Sequence, residues 1–197
     1  MFFKSLRMDI NAAKANDPAA RNKFEILLTY SGVKALFRHR LAHFLYKIHL
    51  KLLARIVSQR TKFLTGIEIH PAAEIEPGVF IDHGQGVVIG ETAKVGTGTV
   101  LYQGCTLGGT GKQSGKRHPT VGRNCVISAG AIVLGNITVG DGAKVGAGAV
   151  VLKDVTAHST VVGVPARVVR IDGSRQSADL YNKKVKKDEN IQHFDEN

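Results

Sequence analysis

Two histidines stand where the chain departs from an otherwise regular pattern, each with a charged neighbour. His83 lies in Ile81-Asp82-His83-Gly84 and His118 in Lys116-Arg117-His118-Pro119. An imidazole titrates near neutral pH and can take a proton from an alcohol, so His83 is a candidate general base. Glu68 precedes it by fifteen residues, a carboxylate that could orient and charge-stabilise the ring if the fold returns there. The stretch from Gly108 to Pro119 is rich in glycine and carries Lys112, Lys116 and Arg117, donors suited to a carboxylate or a phosphate. Its glycines lack the spacing of a Walker phosphate loop. Asp17-Pro18-Ala19-Ala20 reads as an acidic N-cap with proline at the first helical position.

Whether these groups meet depends on the element that carries them, and a short repeat decides it. Aliphatic residues recur every six positions at Ile69, Ile75 and Ile81, then after a two-residue slip at Ile89, Val95, Leu101 and Leu107. After eight further residues they return at Val121, Ile127, Val133, Val139, Val145 and Val151, and the phase then falls on Ala157. Period six would scatter these positions around a helix, whereas short strands joined by corners would turn one aliphatic per side inward. The reading is a mainly β chain, a parallel β-helix of hexapeptide repeats over residues 66–170, with an α-helical region over 1–65. Residues 69–162 hold fourteen units once the insertions are removed, which predicts between four and five three-sided coils. In this phase Cys105 and Cys125 are small interior residues on different sides, so neither a disulfide nor a nucleophile is expected. His83 projects from a corner, with Glu68 almost one coil before it. The upstream helices are expected from Asp17 to about Tyr30 and from Val33 to about Gln59. Residues 171–197 lack periodicity and are expected to form a flexible tail.

Composition removes several function classes. The 197 residues carry a net charge of +11, yet 13 of 27 Lys/Arg, against 4 Asp/Glu, fall within residues 1–68. There Arg38, Arg40, Lys47, Lys51 and Arg55 interleave with Leu41, Phe44, Leu45, Ile48 and Leu52, the spacing of amphipathic helices with one solvated face. A charged helix face accounts for the basicity without nucleic acid or membrane. Neither a signal peptide nor a membrane span is apparent, and two cysteines are too few for a disulfide framework, so a cytoplasmic protein is expected.

At the interruptions the sequence resembles the serine O-acetyltransferases, a family of hexapeptide-repeat acyltransferases. The resemblance is carried by Ile67-Glu68-Ile69-His70-Pro71-Ala72-Ala73, Phe80-Ile81-Asp82-His83-Gly84 and Val88-Ile89-Gly90-Glu91-Thr92. It continues through Gln103-Gly104-Cys105-Thr106-Leu107-Gly108-Gly109-Thr110-Gly111, Lys116-Arg117-His118-Pro119 and Val162-Gly163-Val164-Pro165-Ala166. It implies a left-handed coil, a homotrimer or a dimer of trimers, and transfer of acetyl from acetyl-CoA to the hydroxyl of L-serine, the first step of cysteine biosynthesis. It also implies roles. His83 is the base and Glu68 its partner, at a position where many relatives carry Asp. Asp17 and Asp82 hold the substrate ammonium; Arg117 and His118 engage its carboxylate and the developing oxyanion. Gly109, Ala129, Gly130, Lys144 and Ala147 line the coenzyme A channel between trimer subunits. L-cysteine is implied as a feedback inhibitor, and no metal is implied.

Two rival chemistries exist on such a coil. A γ-type carbonic anhydrase needs three zinc-binding histidines, but five residues beyond His118 stands Arg123. An O-acetyltransferase acting on a sugar or xenobiotic hydroxyl would keep the base without needing Asp17 and Arg117-His118, which suit a zwitterion. Relatives that dock onto O-acetylserine sulfhydrylase insert a C-terminal isoleucine. This sequence ends in Asp195-Glu196-Asn197, so no stable complex with that enzyme is expected.

Overall fold

The computed structural model describes residues 2–111 and 114–175. Fourteen short parallel strands build a three-sided coil that starts at Glu68. Its first face stacks Glu68–Ile69, Val88–Ile89, Thr106–Gly108, Ile132–Leu134 and Val150–Val151. The second stacks Glu74–Ile75, Lys94–Val95, Thr120–Val121 and Thr138–Val139. The third stacks Phe80–Ile81, Val100–Leu101, Val126–Ile127, Lys144–Val145 and Ser159–Val162, then continues antiparallel through Arg167–Ile171 and Ser174–Arg175.

Each coil buries the aliphatic of one below and one above. Ile69, Ile89, Leu107, Val133 and Val151 from the first face meet Val95, Val121 and Val139 from the second in one buried cluster. Ile81, Leu101, Ile127, Val145 and Val161 complete it from the third. Burying each such side chain contributes about 1.5–3 kcal/mol, so the stack holds itself together. Cys105 and Cys125 are buried free thiols inside it, and burial pushes Cys105 up to about 12, far from a reactive thiolate.

The last coil departs from the expected count. Ala157 is exposed, and Val155 instead is buried and bridges Val139 on the second face. The final coil is two residues shorter than a regular one, since Lys144 pairs with Thr160 rather than with a residue eighteen further on. With the Val155 bridge counted, five turns are completed rather than the four to five expected. Beyond them the chain folds back, so residues 171–175 belong to a small antiparallel extension. The remaining tail, and the sulfhydrylase expectation that rests on it, lie outside the described residues.

Four helices precede the coil: α1 (Phe2–Asn16), α2 (Lys23–Thr29), α3 (Ser31–Lys47) and α4 (Lys51–Thr65). Asp17-Pro18 ends α1 rather than starting a helix, because a residue before proline is pushed out of the helical region. The actual cap of α2 is Asn22, whose side chain accepts the N–H of Glu25. The single helix expected over 33–59 is two, broken at His49 (φ 64°), and α3 and α4 pack on each other as a hairpin. Among the described residues no helix is long and apolar enough to cross a membrane.

Polar side chains fasten the helices to the backbone of the coil's corners. In α3, His39 Nε2 lies 3.2 Å from the Ala73 carbonyl and His43 Nδ1 lies 2.8 Å from that of Pro71. Burial lowers His39 to about 3, so the ring is neutral and Nε2–H donates. Ser58 of α4 donates to the Ile69 carbonyl at 2.6 Å. Asp9 of α1 accepts the Gly78 N–H at 2.8 Å and pairs with Arg40 of α3. The closest approach is at Gly32, where a Cβ would stand 2.1 Å from the Ile81 carbonyl oxygen. Helix α3 is therefore seated directly on the strand that leads to His83.

Candidate functional site

His83 occupies the corner between the third and first faces, directly after Phe80–Ile81. The first coil is two residues longer than a regular one: Phe80 pairs with Val100, twenty residues on, whereas Val126 pairs with Lys144, eighteen on. The surplus makes an outward turn. His83 adopts a left-handed backbone (φ 55°), uncommon for a residue with a Cβ although histidine enters it more readily than most. Its N–H donates to Asp82 Oδ1 at 2.9 Å, which offsets part of that strain. The ring is 71% exposed, with Nε2 3.9 Å from Asp82 Oδ2.

Beside this corner stands the loop after α1. Asp17 Oδ1 accepts the Ala19 N–H at 2.8 Å, and its Oδ2 accepts the Tyr30 hydroxyl at 2.5 Å. The Tyr30 hydrogen bond is the main reason that the Asp17 carboxyl stays below the usual range, with the Ala19 N–H and the nearby His83 adding to it. Reciprocally, Tyr30 is raised to about 12, chiefly by that bond, with burial and the charges of Asp17, Glu25 and Asp82 behind it. Asp17, Asp82, His83 and Tyr30 thus share one corner. Glu68 is less simply placed: its Oε2 accepts Lys62 Nζ at 2.6 Å. That exposed pair is worth at most about 1 kcal/mol, so it does not commit the carboxylate.

Arg117 and His118 belong to a different corner, between the first and second faces. The eight extra residues lengthen the third coil, so that Thr106 pairs with Ile132, twenty-six residues on. The returning segment packs on the corner of the coil before it. Arg117 Nη2 donates to Glu91 Oε2 at 2.5 Å, and Lys116 Nζ donates to the Thr92 and His118 carbonyls at 2.7 and 2.5 Å. His118 is buried against Gly90, where a Cβ would stand 1.9 Å from the ring. Burial first, then the Arg117 charge, lowers its pKa and keeps it neutral. A cleft of about 400 Å³ beside this corner is lined by Tyr46, Glu74, Glu91, Thr92, Lys94 and Lys116, and by none of Asp17, Asp82 and His83. Lys112 lies outside the described residues.

The remaining candidates extend the His83 corner down the coil. Gly86, Gly104, Gly130 and Gly148 stack one above another, linked by N–H bonds from Gly104 to Gln85, Gly130 to Gln103 and Gly148 to Ala129. A Cβ at Gly130 or Gly148 would meet nothing within 4 Å. The result is a bare backbone edge, with Ala129, Gly130 and Ala147 along it and Lys144 exposed on the adjoining strand. Gly109 stands apart at the other corner, where a Cβ would lie 3.4 Å from His118 Nε2. The candidates of one chain therefore fall into two groups, at two different corners of the coil. Sequence reasoning gave no role to Glu91 or Thr92, although both lie one lengthened coil before Arg117-His118. It missed Tyr30 outright, because only tertiary packing brings the end of α2 to Asp17.

Comparisons with known proteins bear on the family and the fold. The family described as "Bacterial transferase hexapeptide (six repeats)" matches residues 118–153. A serine acetyltransferase of Bacillus pumilus is 58% identical over 180 residues, covering 91% of this chain and 83% of that protein. The structure of Neisseria gonorrhoeae serine acetyltransferase in complex with serine is 41% identical with a TM-score of 0.83, covering 86% of this chain and 69% of that one. Brucella abortus serine acetyltransferase in complex with coenzyme A is 43% identical with a TM-score of 0.84, covering 89% and 69%. A relative this similar over most of both chains shares more than a repeat, and the chain belongs to the serine acetyltransferase family.

Proposed function

We propose that the protein transfers acetyl from acetyl-CoA to the hydroxyl of L-serine, giving O-acetylserine and coenzyme A, the first step of cysteine biosynthesis. The observation that carries this reading is the corner at which an exposed His83 meets Asp82 and Asp17 at the head of a bare backbone edge. His83 takes the proton as the serine oxygen attacks the thioester carbonyl. The tetrahedral oxyanion collapses, the C–S bond breaks, and the imidazolium returns the proton to the departing thiolate. No covalent enzyme intermediate is needed. Asp17 and Asp82 hold the ammonium, Glu68 orients the ring once it leaves Lys62, and Arg117 and His118 serve the carboxylate and the oxyanion. A zwitterion uses both sets, whereas a sugar hydroxyl would leave the charges unused.

The two groups complete one another when copies associate. In a homotrimer of left-handed coils, as the family resemblance implies, the His83 edge of one copy would face the Arg117-His118 corner of the next. Gly109 would then join Ala129, Gly130, Lys144 and Ala147 along coenzyme A. Exposed Phe37, Leu41 and Phe44 on α3 offer a face through which two trimers could pair. We place the protein in the cytoplasm, where acetyl-CoA is available and two free cysteines stay reduced.

The test is release of thiol from acetyl-CoA with a panel of hydroxyl acceptors. L-serine is expected to support turnover; release with sugars or a xenobiotic alcohol but not with serine would replace the acceptor. L-cysteine differs from serine only in SH for OH, so it should occupy the same site and inhibit competitively with serine. Inhibition that saturating serine does not relieve would place cysteine elsewhere.

A further inference from the structure

Thr92 lies on the corner on which the Lys116-Arg117-His118 segment lands. Its hydroxyl oxygen accepts the backbone N–H of Arg117 at 3.0 Å and that of His118 at 3.1 Å. The same oxygen stands 2.9 Å from His118 Nδ1, and the Thr92 backbone N–H points at that nitrogen from 3.2 Å. A backbone N–H can only donate, so Nδ1 must accept and the ring proton must sit on Nε2. The hydroxyl already accepts twice, which leaves its own O–H to be given, and Nδ1 is the acceptor beside it. With His118 only 8% exposed, a second arrangement would leave buried donors facing each other. The ring packs closely on Gly90, where an added Cβ would stand 1.9 Å from Cδ2 and 2.2 Å from Nε2, and a Cβ at Gly109 would stand 3.4 Å from Nε2.

We propose that Thr92 is a positioning residue for acetyl transfer: it pins the Arg117-His118 backbone and fixes His118 in the tautomer that presents Nε2–H as a donor. The use of that donor, toward the carboxylate or oxyanion of the acceptor, rests on the function proposed above; the tautomer does not.

The test compares Thr92→Val, which keeps the shape and loses the hydroxyl, with Thr92→Ser, which keeps the hydroxyl, both in the full chain. Thr92→Val should lower kcat/KM for serine by about 10–100-fold, the size of effect expected when buried hydrogen-bonding groups lose their partner, and Thr92→Ser should recover most of the loss. Nitrogen NMR of ¹⁵N-histidine-labelled protein, with the His118 signal assigned by its absence in His118→Gln, should show the Nε2–H tautomer in the wild type. The same signal should show mixed tautomers in Thr92→Val. A wild-type ring protonated on Nδ1 overturns the proposal, and so does turnover in Thr92→Val within about twofold of wild type. If Thr92→Val does not fold, the wild-type tautomer and the recovery in Thr92→Ser decide. Correct tautomers in a protein that does not acetylate serine would count against the functional reading alone.

Discussion

Replacing His83 with alanine is expected to lower kcat for serine acetylation by about 10²–10⁴-fold, the usual contribution of a general base. The binding of acetyl-CoA should survive, because the ring stands at the head of the glycine edge rather than along it. Residue 83 holds a left-handed conformation whose cost of about 1–2 kcal/mol alanine would carry as histidine does, but without the tolerance that polar side chains show there. His83→Asn is the better control, because asparagine accepts that conformation and cannot serve as the base. Both variants should lose turnover while Asn keeps the thermal stability. Near wild-type kcat in either would remove His83 from the mechanism. Glu68→Gln should cost less than either, because its carboxylate orients and stabilises without transferring the proton.

The repeat was legible because it is a property of side-chain size at fixed spacing. An inward Ile69, Val95 or Leu101 has no alternative partner once the period is six. Its interruptions were legible for the same reason, and they mark the corners that carry His83 and Arg117-His118. Local rules failed where tertiary contact overrode them. Asp17-Pro18 has the composition of a helix start, but α1 already runs to Asn16, and proline closes it. The left-handed turn at His49 contains neither glycine nor proline, so nothing in the spacing announced it. Ala157 kept the hexad phase on paper, while the structure buries Val155 because a larger aliphatic fills the end of the coil better than a methyl. The partition of the candidates between two corners could not be read from spacing alone. It depends on which corner each excursion leaves from, and therefore on counting faces rather than residues.

Arg117 is the second position where a large effect is expected. Its Nη2 is engaged by Glu91, but a guanidinium has further donors in a fixed fork, so the ion pair orients the group without exhausting it. The pair is only partly exposed, with side chains at 29% and 31%, which keeps bulk water from replacing a lost partner fully. A charge-assisted hydrogen bond is worth about 1.5–3 kcal/mol, so Arg117→Ala should raise the KM for serine by roughly 10–150-fold. Glu91 would then be left beside the acceptor's carboxylate, and its repulsion should push the loss toward the upper end of that range. Arg117→Lys should recover only part, since an ammonium cannot hold Glu91 and a second carboxylate in the same fork. The discriminating measurement is cysteine inhibition of the same variant. If Arg117 grips the carboxylate common to both amino acids, its loss must weaken serine and cysteine by the same factor while the KM for acetyl-CoA stays near wild type. A variant that loses serine affinity yet keeps cysteine inhibition would show that the two ligands do not share Arg117, and the single-site reading of feedback would fail with it.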